Sequence, residues 1–154
     1  MKVKDFMITD VIFAKKEDSI KSVMKILVDK KIGGVPIVDD KGILVGIISD
    51  GDIIRNINPK EEKMYDFMSY IFYIKKEELE EGIELIKDAN IMTIARRNNI
   101  YCVSPEDSME KVLSMFSKHN FKKIPVINKE RQVVGVVSRG DVIRYVQKKI
   151  IDKM

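Results

Sequence analysis

Two ten-residue stretches hold the residues whose types and spacing can do chemistry: GIISDGDIIR, Gly46 to Arg55, and GVVSRGDVIR, Gly135 to Arg144. Each is a β-branched apolar run followed by Ser-x-Gly-Asp, two apolar residues and an Arg. That order reads as a strand entering a helix, with Ser49 or Ser138 at the N-cap and Asp52 or Asp141 at the third helical position. Taken alone, Ser-x-x-Asp is close to a capping box. The hydroxyl and the carboxylate satisfy N–H groups that the first helical turn leaves unpaired, worth ~0.5–2 kcal/mol with no ligand at all. A Gly-bearing turn at a helix N-terminus, following a buried strand, also suits a ribose or a phosphate.

What must position these turns is a repeated unit. Sliding the chain by 89 positions (106 − 17) aligns Glu17–Ile57 with Glu106–Val146 without a gap, and identities concentrate in the two turns. Each unit opens on a short apolar run, Val11 to Ala14 or Ile100 to Val103, read as a strand. EDS then starts a helix whose apolar face is Ile20, Val23, Met24 and Leu27, or Met109, Val112, Leu113 and Phe116. A Pro-bearing run (Val35 to Asp39, Ile124 to Asn128), a polar turn and a third run (Ile43 to Ile48, Val133 to Val137) make a hairpin. The last helix follows the Ser-x-x-Asp turn. A β-α-β-β-α unit of about 55 residues buries too little surface to be comfortably stable alone, so two packed units with an internal twofold form the folding unit. The expected organisation is repeat one over 1–57, a helical segment over 58–89 and repeat two over 90–154, an α+β fold.

Composition narrows the function. The chain has 154 residues, 45% apolar and 34% charged, with a net charge of +4 spread along it, which fits a small anionic ligand better than a long nucleic acid. No run of about 18 apolar residues and no apolar signal region occur, so a cytoplasmic protein without a membrane span is expected. Cys102 stands alone in an apolar run and reads as strand filler. One His and one Cys make no metal cluster, and neither phosphate-loop spacing nor a catalytic triad order is legible, so no enzyme is expected. Tyr65, Phe67, Tyr70, Phe72 and Tyr73 interleave with Met64, Met68, Ile71 and Ile74, which reads as a packed helix or dimer contact and not as a nucleic-acid stacking platform. Arg55 and Arg144 are placed to pair with Asp52 and Asp141 within their own helices, and His119 to favour a helix C-terminus.

The two units resemble a tandem pair of CBS domains, or Bateman module. The resemblance rests on the opening VKDFMITDVI, the EDS helix starts, GGVPIVD and KKIPVIN, and above all the two turns, and it covers about two thirds of the chain. Asn90-Ile91-Met92-Thr93 looks like the family's opening motif, yet lies four residues farther from its EDS helix than Asp5-Phe6-Met7 does.

The resemblance implies a regulatory module, with no required cofactor, that binds AMP, ADP, ATP or S-adenosylmethionine between the units. It assigns Ser49, Asp52, Ser138 and Asp141 to ribose and phosphate, and puts adenine against the backbone around Thr9, Val11, Ile100 and Tyr101, near Val35-Pro36 and Ile124-Pro125. Lys122, Lys123 and Arg139 replace Gly33, Gly34 and Asp50 of the first unit, so the stronger phosphate site is expected where those cations meet Ser138 and Asp141. A homodimer acting on a separate protein partner is also implied. The alternatives are a structural dimerisation module with vestigial clefts and a nucleic-acid binder.

Overall fold

The computed structural model describes residues 1–57 and 80–154. The aromatic tract and the charged stretch Lys60–Lys63 fall outside the described residues. The first repeat runs β1 (Ala14–Lys15), α1 (Ile20–Lys30), β2 (Gly34–Val38), β3 (Leu44–Ser49) and α2 (Asp50–Ile57). A further helix, α3, is described over 80–86. The second repeat runs α4 (Met109–Lys118), β4 (Lys123–Ile127), β5 (Val133–Ser138) and α5 (Arg139–Ile151).

Local chemistry starts the helices where expected. Ser19 and Ser108 cap α1 and α4 by accepting the N–H of Ser22 and Lys111. β2 pairs antiparallel with β3 and β4 with β5, and both ladders carry a bulge at equivalent places, Ile37/Val38 and Val126/Ile127. Ile20, Val23 and Leu27 turn into the first core, Met109 and Val112 into the second repeat. On α5 only Val142 is buried, while Ile143 and Ile150 are exposed.

The leading strands differ from expectation. Of Val11 to Ala14 only Ala14 joins a ladder, with β1 pairing parallel to β2, and of Ile100 to Val103 only Val103 does, through a single parallel bridge to Val126. One residue type explains the difference between repeats. The Lys16 N–H donates to the Val38 carbonyl at 3.0 Å, prolonging the first ladder, whereas the equivalent residue in the second repeat is Pro105, which has no N–H to give.

The openings of the two units change places. Val3 is fully buried in the core formed by Val103, Val112, Ile124, Val126, Val137 and Val142, all from the second repeat. Ile91 is fully buried among Ala14, Ile20, Val23, Ile37, Ile48 and Ile53 of the first. Backbone bonds fix the exchange: Val3 N–H to the Asp107 carbonyl, Ile91 N–H to the Asp18 carbonyl, with bridges Ile8 to Val136 and Arg96 to Ile47. This pairing corrects the sequence alignment of the openings. Val3 corresponds to Ile91, Met7 to Ala95 and Ile8 to Arg96, so the apparent four-residue displacement is an artefact of matching Asp5 to Asn90. One extra residue separates Arg96 from its EDS helix, in a stretch where Asn99 adopts φ 52°.

The two hairpins meet on the pseudo-twofold. Leu44 donates its N–H to the Arg131 carbonyl and Val133 to the Gly42 carbonyl, flanking the bridge of Ile43 to Gln132. This contact holds the repeats close enough for the turn of one to face the strand entry of the other.

Candidate functional site

A cleft of about 540 Å³ lies between the repeats. One wall is the β3–α2 turn, with Ser49, Asp50, Gly51, Asp52 and Arg55. The other is the entry to β4, with His119, Asn120, Phe121, Lys122 and Lys123, joined by Arg96 and Tyr101. Its size lies within the range of small-molecule sites.

The capping geometry decides what the turn has left to offer. Asp52 Oδ2 accepts from the Ser49 N–H and the Ser49 hydroxyl, both at 2.9 Å, and Oδ1 accepts from Arg55 at 2.5 Å. A carboxylate has about four acceptor positions, so one remains on Oδ1 for a ligand hydroxyl. The second turn repeats the arrangement: the Ser138 hydroxyl donates to Asp141 Oδ2, and Arg144 to Oδ1. That hydroxyl bond, and then Arg144, hold the Asp141 carboxyl below its usual range against the opposing effect of burial.

The opposite wall is aromatic and cationic. The His119 ring lies 4.5 Å from Tyr101 and 4.9 Å from Phe121 between centroids, and the Arg96 guanidinium sits 5.9 Å above Phe121. Such a wall can stack a planar base. Lys122 Nζ contacts both Asp50 oxygens, at 2.6 and 2.7 Å. Burial pushes the Lys123 ammonium below the usual lysine range, with Asp141 opposing it. A phosphate beside Lys123 would favour the charged form.

The cleft brings together Ser49, Asp52, Tyr101, Lys122 and Lys123 from among the sequence candidates. The sequence groups Lys122 and Lys123 with Ser138, Asp141 and Arg139; Lys122 instead pairs with Asp50 in the turn of the other repeat, while Lys123 lines the same cleft and stays within electrostatic reach of Asp141. The physical reason is the pseudo-twofold, which aims the entry of β4 across the interface. The backbone ties Lys122 to the second turn, the Arg139 N–H donating to its carbonyl at 3.0 Å. Arg139 itself is exposed, and Lys123 also neighbours Ser138 in the β4–β5 register.

The remaining candidates do not line this cleft. Val35, Pro36, Ile124 and Pro125 are buried within their strands, so they can offer a ligand little beyond backbone. Thr9 is exposed, while Val11 and Ile100 are half-buried.

The sequence pattern does not single out Arg96, Asp50, Asn120 or Phe121 as site residues, and it marks His119 only as a helix end. Arg96 lies in the stretch the repeat comparison failed to align, and His119, Asn120 and Phe121 match Lys30, Lys31 and Ile32, so internal identity pointed away from them. Burial raises the Cys102 thiol, which makes it a poor nucleophile. No group of three or more His, Cys, Asp or Glu able to hold a metal occurs among the described residues.

Two α+β repeats with exchanged openings, enclosing a ligand-sized cleft at their junction, define a paired-repeat module. The chain belongs to the CBS domain family, whose model matches residues 3–59 and 86–148. It is similar to protein MJ1426 of Methanocaldococcus jannaschii, 27% identical over 152 residues that cover 93% of this chain and 89% of that protein. It is also similar to homoserine O-acetyltransferase of Methanohalobium evestigatum, 27% identical over 145 residues, but spans only 24% of that enzyme's length.

Among solved structures, it resembles the CBS domain pair of protein MJ0100 in complex with 5′-methylthioadenosine and S-adenosyl-L-methionine. That match has a TM-score of 0.70 and 28% identity, covering 97% of this chain and 98% of that one. CBSX2 in complex with AMP shares the fold, with a TM-score of 0.72, 22% identity and 96% of each chain covered. No helix among the described residues is long and apolar enough to cross a membrane.

Proposed function

We propose that this module binds an adenosine nucleotide or a related adenosyl compound in the cleft between the Ser49–Asp52 turn and the His119–Lys123 segment, and passes occupancy on to a partner protein. The observation that carries the reading is the opposition of the two walls. A capped turn with one free carboxylate acceptor faces an aromatic group flanked by cations, the complement of a sugar, a base and a phosphate. The bound adenosyl ligands of the MJ0100 pair and of CBSX2 support the same class of ligand. Ser138, Asp141 and Arg139 form the equivalent turn and are proposed as a second, independent contact point for such a ligand.

The test is isothermal titration with AMP, ADP, ATP, S-adenosylmethionine and 5′-methylthioadenosine. Heat with at least one, reduced in Asp52→Ala, supports the reading. Absence of heat and of thermal shift with all five at millimolar concentration rejects it.

A homodimer is proposed alongside, on a separate observation. Ile54 on α2 and Ile143 on α5 are pseudo-symmetry equivalents, 63% and 46% exposed, and Ile150 and Ile151 extend the apolar surface of α5. Light scattering reads the mass. Ile54→Glu with Ile143→Glu should give monomers, and an unchanged mass would remove these helices from the interface.

A further inference from the structure

The ion pair of Asp50 and Lys122 crosses the cleft and has no counterpart under the pseudo-twofold. Its equivalents are Arg139 and Gly33, which cannot pair. Gly33 lets the two side chains come together without adjustment: a Cβ there would lie 3.2 Å from both Asp50 Oδ2 and Lys122 Cδ, so each would have to give by a few tenths of an ångström. Asp50 is also held in place, because its Oδ1 accepts the Gly51 N–H at 2.7 Å. Both side chains line the cleft and remain accessible to solvent, at 44% and 52% exposure, so the contact is exchangeable. A carboxylate thus sits on a cation that an anionic ligand would also seek, beside Lys123 and Arg96.

We propose that Asp50 is a built-in competitor for ligand phosphate at Lys122, so that the cleft discriminates among adenosyl ligands by whether their phosphate displaces this carboxylate. The inference rests on the reading of the cleft as an adenosine-nucleotide site. Ligands without phosphate leave the pair intact. A ligand that carries phosphate takes Lys122 and frees Asp50, which loosens one link between the repeats and gives occupancy a structural consequence.

The test is calorimetry at low ionic strength on the full chain and on Asp50→Asn, Lys122→Gln and the double variant, each titrated with ATP and with adenosine. Melting by circular dichroism checks folding. Asn retains the oxygen that accepts the Gly51 N–H, and Lys122→Gln leaves the α2 turn untouched.

The quantity read is the ratio of ATP to adenosine affinity. In Asp50→Asn it rises about fivefold, the upper range for an exposed ion pair. In Lys122→Gln it falls, and adding Asp50→Asn to that background brings no rise. An equal rise in the Lys122→Gln background would show a general field effect and overturn the competition. An unchanged ratio, with both ligands binding, would overturn it as well while leaving the cleft as a nucleotide site. Failure of every variant to bind either ligand would reject that underlying reading, and the inference with it.

Discussion

Val3 and Ile91 are equivalent residues that each lie fully buried in the core of the opposite repeat. The repeats are therefore tied together by exchanged openings as well as by the contact of their hairpins. Ile91→Ala should cost ~2–5 kcal/mol, the range for a large aliphatic side chain lost from a packed core. Val3→Ala should cost about 2 kcal/mol. Hydrogen exchange locates the damage: Val3→Ala should release amides of β4 and β5 before those of β2 and β3, although Val3 is near the start of the chain. Loss confined to the N-terminal residues would contradict the exchange.

The two turns make a matched pair for separating a structural cap from a ligand contact. Asp52→Ala and Asp141→Ala each remove a carboxylate bonded to a cap hydroxyl and to an Arg, so each should lower stability by ~1 kcal/mol in urea unfolding. Nucleotide affinity should fall more in Asp52→Ala, because Asp52 lines the described cleft. Equal stability losses with affinity unchanged in both variants would leave the turns as caps alone.

Much of the fold was legible because its signals are local and repeated. The EDS starts, the apolar faces of α1 and α4 and the hairpins all recur at one offset, and each is set by neighbours in sequence. The crossing of the openings was not legible, since Val3 and Ile91 look alike as apolar residues and nothing local says which core receives them. The leading strands are shorter than their apolar runs, because apolar content does not reveal ladder pairing. The absence of an N–H at Pro105 could have been read, but its opposite number, Lys16, carries no such mark. The site was half legible. Ser49, Asp52 and the two lysines stood out by type, whereas the pairing of Lys122 with Asp50 across the repeats depends on tertiary geometry.

Glu106 holds the first opening to the second repeat, accepting from Lys2 at 2.5 Å and Lys4 at 2.7 Å. These hydrogen bonds, Lys2 first, bring its carboxyl down to about 2 from 4.5. A depressed folded value means that the carboxylate contributes stability above about pH 4.5 and loses it as pH falls toward 2. The side chain is exposed, so the effect should be small and weakened by salt. In urea titrations, wild type should exceed Glu106→Gln in stability near neutral pH, and the two should converge toward pH 2. A difference that is constant across this range would show that the ion pairs do not contribute.

The two hairpin tips set a backbone preference against a side chain. Gly42 and its equivalent Arg131 both adopt the left-handed region, at φ 77° and 64°. That conformation costs an L-residue about 1–2 kcal/mol, while glycine gives up ~0.5–1 kcal/mol of chain entropy on folding. The first effect is the larger at these angles. Gly42→Ala should therefore destabilise the chain by about 1 kcal/mol although its Cβ meets nothing within 4 Å. Arg131→Gly should stabilise it by about 0.5 kcal/mol, the strain relieved less the entropy lost. Urea midpoints moving in opposite directions for the two variants would bear this out. A loss of stability in Arg131→Gly would instead assign the Arg131 side chain a stabilising contact larger than the strain of its backbone.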